Sequence, residues 1–551
     1  MKSGRHYTLI MLLALAGLIA CATTDPAPAP DRVAQSERII LAEMARVRGD
    51  VGQALGYYVQ AVPLSDSEAY ARDATLYAME ARAWPDALLL ARRWQVLAPD
   101  SLQAQWHAGR SELLVGDLDA SERAFRRWLA ASDGEDWIEL GRQLQSEPRQ
   151  WQAWRLMRRL LDRDSGAAAW EAGARMALAL NRLGDAQRYA DQALARDGDR
   201  RSAEWLQLRA RAGQGDGEAL ARARLLATGG DVSDELEFVT LLWELNRSEE
   251  ALNFVQSRVQ ETGRHPALIY TRALLYTYSG EHDAAMTDFR DLMGQGFRVR
   301  ETWFQMAQVA RRSGDYETAL NWFDRVLSGD EEVQARVGGV AMLLELGREA
   351  EAWERVRFLG DHLRALSADF YLELAPMLAA ASHADRATAL CNDILGSRAE
   401  NAESYYRCGL ALLQADRDHE QGLSWLRKAH DHWPDEPTVL NALGYSLADQ
   451  GRELRHARRL IRRALDRSPD SGAILDSMGW VEYRLGNNRK ALEWLERAWQ
   501  RYPSPEVAAH RVEVHWVKGD RELARQLYRE ADERWPDEDI LRKTWQRLTV
   551  D

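Results

Sequence analysis

Apolar positions along the last third of the chain fall into a repeating frame. Leu475, Met478-Gly479, Ala491, Leu495, Ala498 and Pro503 mark one unit. The unit before it carries Leu443-Gly444, Ala457, Ile461, Ala464 and Pro469, with one inserted residue, and the unit after it carries Ala524, Tyr528, Ala531 and Pro536. The prolines at 469, 503 and 536 stand 34 and 33 residues apart, and Gly409, Leu426, Ala429 and Pro434 continue the frame upstream. This pattern predicts two antiparallel helices per unit. Small residues near the eighth and twentieth positions let the two axes approach to about 8–10 Å, and Pro after the second helix stops it.

The frame weakens toward the N-terminus but keeps its phase. It is visible in Gly314-Asp315-Tyr316 with Ala319 and Phe323, in Ala273, Ala285 and Phe289, in Gly116-Asp117 with Phe125 and Trp128, and in Gly49-Asp50 with Ala54, Tyr58 and Ala61. Its spacing resembles the tetratricopeptide pattern. The resemblance implies an all-α, right-handed superhelical solenoid of about fifteen helix pairs over residues 35–537, clearest over 401–537. A last helix, Glu538 to Leu548, is expected to cap the open apolar end. The stretches 135–166 and 367–398 are degenerate, and the pattern alone does not set their register.

Ahead of the repeats, Lys2 and Arg5 precede an apolar run from Leu9 to Ala20. Twelve residues cannot span a bilayer that needs about 20, so residues 1–20 read as a signal peptide. The run ends in Leu18-Ile19-Ala20-Cys21, which resembles the bacterial lipobox. That resemblance implies lipidation of Cys21 as the mature N-terminus. With Ala22 rather than Asp after it, the implied location is the outer membrane, facing the periplasm. Residues 21–34, with Pro26, Pro28 and Pro30, are expected to form an extended tether.

Composition narrows function. A net charge of −13 argues against nucleic acid, which requires a basic excess. Of 72 basic side chains only five are lysine, a bias that more often reflects base composition than a binding surface and points to no function. No nucleotide-binding, metalloprotease, redox or serine-hydrolase motif is present. Gly444-Tyr445-Ser446-Leu447-Ala448 lacks the closing Gly of a nucleophile elbow and lies in a helix. The reading is therefore a non-enzyme with no catalytic residue, no cofactor and no metal ligands. Most of the 21 tryptophans fall at helix-packing offsets and are expected in the core. Cys391 and Cys408 lie in apolar helical stretches; buried free thiols are the commoner outcome there, and a disulfide is the alternative.

The first helices of such a solenoid line a groove that holds peptides or partner helices. In the C-terminal units Asn441, Tyr445, Asp476, Trp480, Tyr483 and Trp516 are the candidate partner-binding residues. Trp480 and Tyr483 are equally consistent with packing against the next unit. The groove lacks the basic residues with which some tetratricopeptide domains hold a chain-end carboxylate. The lipobox, the tether, the repeats and the strings Leu440–Asp449 and Ile474–Trp480 together resemble a family of proteobacterial lipoproteins. Its members act as adaptors for a periplasmic carboxyl-terminal-processing protease. The resemblance implies protein partners, that protease and peptidoglycan hydrolases, and contact with the membrane through the lipid alone. The alternative is an assembly scaffold for an outer-membrane, pilus or polysaccharide-export complex.

Overall fold

A computed structural model of the chain describes residues 30–131, 136–261, 265–362, 367–380, 383–396, 401–414, 419–536 and 538–549. Residues 1–29, which include the expected signal peptide, Cys21 and most of the tether, lie outside the described residues. The described part contains 31 α-helices and no strand. Among these residues no helix is long and apolar enough to cross a membrane.

The chain divides into two compact units, residues 1–67 and 68–551. The first holds one helix pair, Pro30–Arg48 and Val51–Ala61, closed by a 3₁₀ turn at Val62–Leu64. Ala42, Ala45, Ala54, Leu55 and Tyr58 form its interior. The first helix begins five residues ahead of the expected solenoid start. Pro30 is tolerated there because the first turn of a helix has no partner for a backbone N–H.

The second unit, an all-α solenoid, holds fourteen further pairs and the single helix Asp539–Thr549, so the described residues make fifteen helix pairs in all. The two degenerate stretches resolve into ordinary pairs. Residues 136–160 form two short helices, Asp136–Gln145 and Gln150–Leu160. Residues 367–396 form Ser367–Ala380, a single helix with Pro376 inside it, and Ala384–Gly396. The shortness of the first pair and the internal proline of the second explain why the thirty-four-residue frame fades there.

Turns within a pair show why Gly-Asp recurs. Gly116 adopts φ 99°, a left-handed conformation that ends the helix Leu102–Val115, and Asp117 then caps the helix Leu118–Ala130 by accepting from the Ala120 N–H at 3.0 Å. Close approach accounts for the glycines in mid-helix. A Cβ on Gly479 would stand 2.6 Å from Leu495 Cγ and 3.2 Å from the Ala491 carbonyl. We expect Gly479→Ala to destabilise the C-terminal pairs by about 1–2 kcal/mol, although alanine is the better helix former; the cost of overpacking exceeds the propensity gain. A denaturant midpoint followed by tryptophan fluorescence measures it.

Arginine ties successive pairs together. Arg201 reaches Asp234 at 2.9 Å, Arg110 reaches Glu147 at 2.5 Å and Arg355 reaches Asp324 at 2.7 Å, each about one repeat away. Cys391 and Cys408 are joined in a disulfide with Cα atoms 5.6 Å apart. This corrects the reading of buried free thiols: both cysteines are indeed buried, but adjacent packing of their two helices brings them within bonding reach. Closing a loop of 17 residues contributes about 3 kcal/mol on the chain-entropy model.

The second unit winds far enough for early and late repeats to meet. The Trp151 N–H donates to the Glu436 carboxylate at 3.2 and 3.3 Å, Arg182 donates to the Arg467 carbonyl, and Arg501 donates to the Gly213 carbonyl. Arg82 pairs with Glu403, and Arg149 lies over the Trp433 ring at 5.7 Å. The partners are separated by 284 to 321 residues in sequence, so these contacts form a seam between successive turns of the superhelix.

Candidate functional site

Three first helices, Pro437–Asp449, Gly472–Arg484 and Pro505–Lys518, stand side by side at the C-terminal end of the solenoid. Residues four apart on a helix share a face. That spacing aligns Asn441 with Tyr445, Asp476 with Trp480, and Glu506 with His510. Together with Leu180 and Asn181 from the facing superhelical turn, Asn441, Tyr445, Asp476 and Glu506 line a cavity of about 400 Å³. The seam therefore closes one side of the recess.

A polar chain runs along the wall of this recess. Asp476 Oδ1 and Oδ2 stand 2.9 and 3.0 Å from His510 Nδ1, and both residues are buried. The Trp480 ring stacks on the imidazole with centroids 4.2 Å apart, and the Tyr445 hydroxyl donates to Glu506 Oε1 at 2.9 Å. The Asn441 Oδ1 and Trp480 Nε1 atoms are buried without a hydrogen-bond partner. Burial works against charge on His510, but the carboxylates of Asp476, Glu506 and Glu513 outweigh it and raise its pKa. Burial and the nearby Glu506 hold the Tyr445 hydroxyl well above the ordinary phenol range.

Five of the six residues singled out by sequence are thus brought onto one surface, though not into one cavity. Asn441, Tyr445 and Asp476 face the recess, whereas Trp480 and Tyr483 border a neighbouring hollow with Glu513 and Arg547. Tyr483 donates to Glu513 at 2.9 Å, and burial together with that carboxylate pushes its pKa up to about 12. Trp516 does not join them. It packs edge-on against Trp545 of the terminal helix at 5.4 Å, under Arg521 and Arg525, and so serves the cap. Its position on the final pair explains the difference: the neighbour it meets is the capping helix and not another repeat. His510 and Glu506 are absent from the residues the sequence singles out. The repeat itself carries the signal for one of them, since His510 lies 34 residues after Asp476 and occupies the equivalent position of the next unit.

No family model matches the chain. It is 29% identical over 250 residues to the TPR repeat-containing protein PA4667 of Pseudomonas aeruginosa. That similarity covers 45% of this chain and 42% of the relative, so it spans under half the relative's length. Among solved structures, a thermophilic TPR protein of Thermus thermophilus is similar at 21% identity and a TM-score of 0.30, over 33% of this chain and all of that one. Yeast Tom70 is similar at 14% identity and a TM-score of 0.36, over 76% of this chain and 95% of that one. The chain has the all-α architecture of tetratricopeptide-type helix pairs.

Proposed function

We propose that this protein is a lipid-anchored adaptor of the bacterial envelope that recruits and activates a periplasmic carboxyl-terminal-processing protease and presents peptidoglycan hydrolases to it. The observation that carries the binding role is the recess at residues 437–507. It is walled by three consecutive first helices, lined mainly by apolar surface, and furnished with Tyr445, Asn441 and the Asp476–His510 pair for orienting a peptide. Delivery to the outer membrane rests on Cys21 in its lipobox-like setting, and the protease partner rests on the resemblance carried by Leu440–Asp449 and Ile474–Trp480. An adaptor needs two surfaces, and the fourteen pairs of the second unit offer a long second surface away from the recess.

The test is recovery of partners on the full chain, tagged at its C-terminus and extracted from envelopes in mild detergent, with bound proteins identified by mass spectrometry. Co-recovery of a processing protease with a cell-wall hydrolase, both reduced by Tyr445→Ala, is the expected result. Recovery of secretion, pilus or polysaccharide-export components without a protease would replace the adaptor with an assembly scaffold.

A further inference from the structure

Among the described residues, one place brings together three groups able to ligate a metal: Asp476, Glu506 and His510, each offering one ligand atom, all within 4.8 Å of one another. Glu506 and His510 are four apart on one helix and so face the same way, and Asp476 approaches from the neighbouring first helix. Two carboxylates here depart from the habit of the rest of the molecule. Many acidic groups elsewhere meet arginine across the repeats, but among the described residues Asp476 meets only His510, and Glu506 only the Tyr445 hydroxyl.

A second observation is independent of the cluster. Asn441 lines the same cavity, and its Oδ1 atom is buried and accepts no hydrogen bond. It sits one helical turn before Tyr445, whose hydroxyl already holds Glu506. A buried carbonyl oxygen without a donor is costly unless a cation or a water bound to one satisfies it. The donors of the cluster are one imidazole nitrogen and two carboxylates, with no thiolate. Calcium and magnesium favour all-oxygen sets, whereas imidazole with carboxylate suits zinc and its first-row neighbours.

We propose that Asp476, Glu506 and His510 form a binding site for a divalent transition metal of the zinc class, in the cavity that Asn441 also lines. The ion bridges the helices Gly472–Arg484 and Pro505–Lys518 and balances the two carboxylates. Glu506 is exposed, so an ion enters from solvent, and a ligand position left toward the recess is available to a partner group. The site stands whether or not the adaptor reading does, because it needs no partner.

The experiment titrates Zn²⁺ into the full chain in metal-free buffer, by calorimetry and equilibrium dialysis, with circular dichroism to check folding. The expected result is tight binding that loses one ion per chain in His510→Gln and weakens about tenfold or more in Glu506→Gln, whose exposed side chain leaves the fold intact. Co²⁺ should give a visible d–d band in the wild type that His510→Gln lacks, and excess Mg²⁺ should not displace it. The same zinc stoichiometry and affinity in both variants would overturn the site, as would the absence of stoichiometric binding or displacement by Mg²⁺.

Discussion

Raising the pH from 6 to 9 is expected to lower the unfolding midpoint of the wild-type chain, and Glu436→Gln is expected to remove most of that decline. Glu436 is buried in the seam between superhelical turns, and burial pushes its pKa up to about 8. The Trp151 N–H and the charges of Arg149 and Arg467 pull the other way, and Asp435 adds to the rise. A carboxyl that titrates near 4.3 in the unfolded chain and near 8 in the folded one keeps its proton longer when folded. The folded state therefore binds more protons throughout that window, and stability falls as pH rises through it. The neutral acid contributes fully below about pH 4, and its contribution is gone above the folded value. The full shift corresponds to at most about 5 kcal/mol, and less if the seam opens to admit water. Denaturant midpoints at several pH values measure the slope. Faster hydrogen exchange at residues 149–151 at high pH would place the loss at the seam. A parallel decline in Glu436→Gln would assign it elsewhere.

Asp476→Ala is expected to cost the C-terminal repeats about 3–5 kcal/mol, because it leaves a buried imidazole facing no partner for Nδ1. Replacing both partners, Asp476→Leu with His510→Leu, should restore most of the loss. Paired buried charges gain little over apolar groups of similar volume, whereas breaking a pair exposes the full desolvation cost. A double-mutant cycle on the denaturant midpoint reads the coupling directly. If both single variants and the double lose the same amount, the two side chains act through packing with Trp480 and not through their mutual bond.

The repeat was legible because its physical causes are local. Gly444 and Gly479 sit where helices touch, Asp117 caps a helix, and proline follows second helices; each leaves its mark within one unit. Cys391 and Cys408 are an intermediate case, since the reading placed both in helices but could not align the two facing turns. The seam was not legible at all. Glu436 against Trp151 depends on the small rotation added by every intervening pair, and no single unit records that sum. The same distinction divides the site. Asn441, Tyr445 and Asp476 follow from helix phase within a unit, but Leu180 and Asn181 reach the recess only because the superhelix comes round. Trp516 shows the same limit: phase within a unit does not reveal that it meets Trp545 of the terminal helix where other units meet a repeat.

Contact between turns sets a rule for how this chain can change in length. An open array tolerates gain or loss of a unit anywhere, since each unit touches only its neighbours. Here, deleting one unit of about 34 residues between residues 215 and 400 would present the Gly116-Asp117 turn to Glu436 in place of Trp151. Arg182 and Arg501 would likewise lose the carbonyls they now reach. The number of units in the middle of the molecule is therefore counted by the seam, as the teeth of a gear are counted by the wheel it meshes with. Variation in repeat number belongs at the two ends.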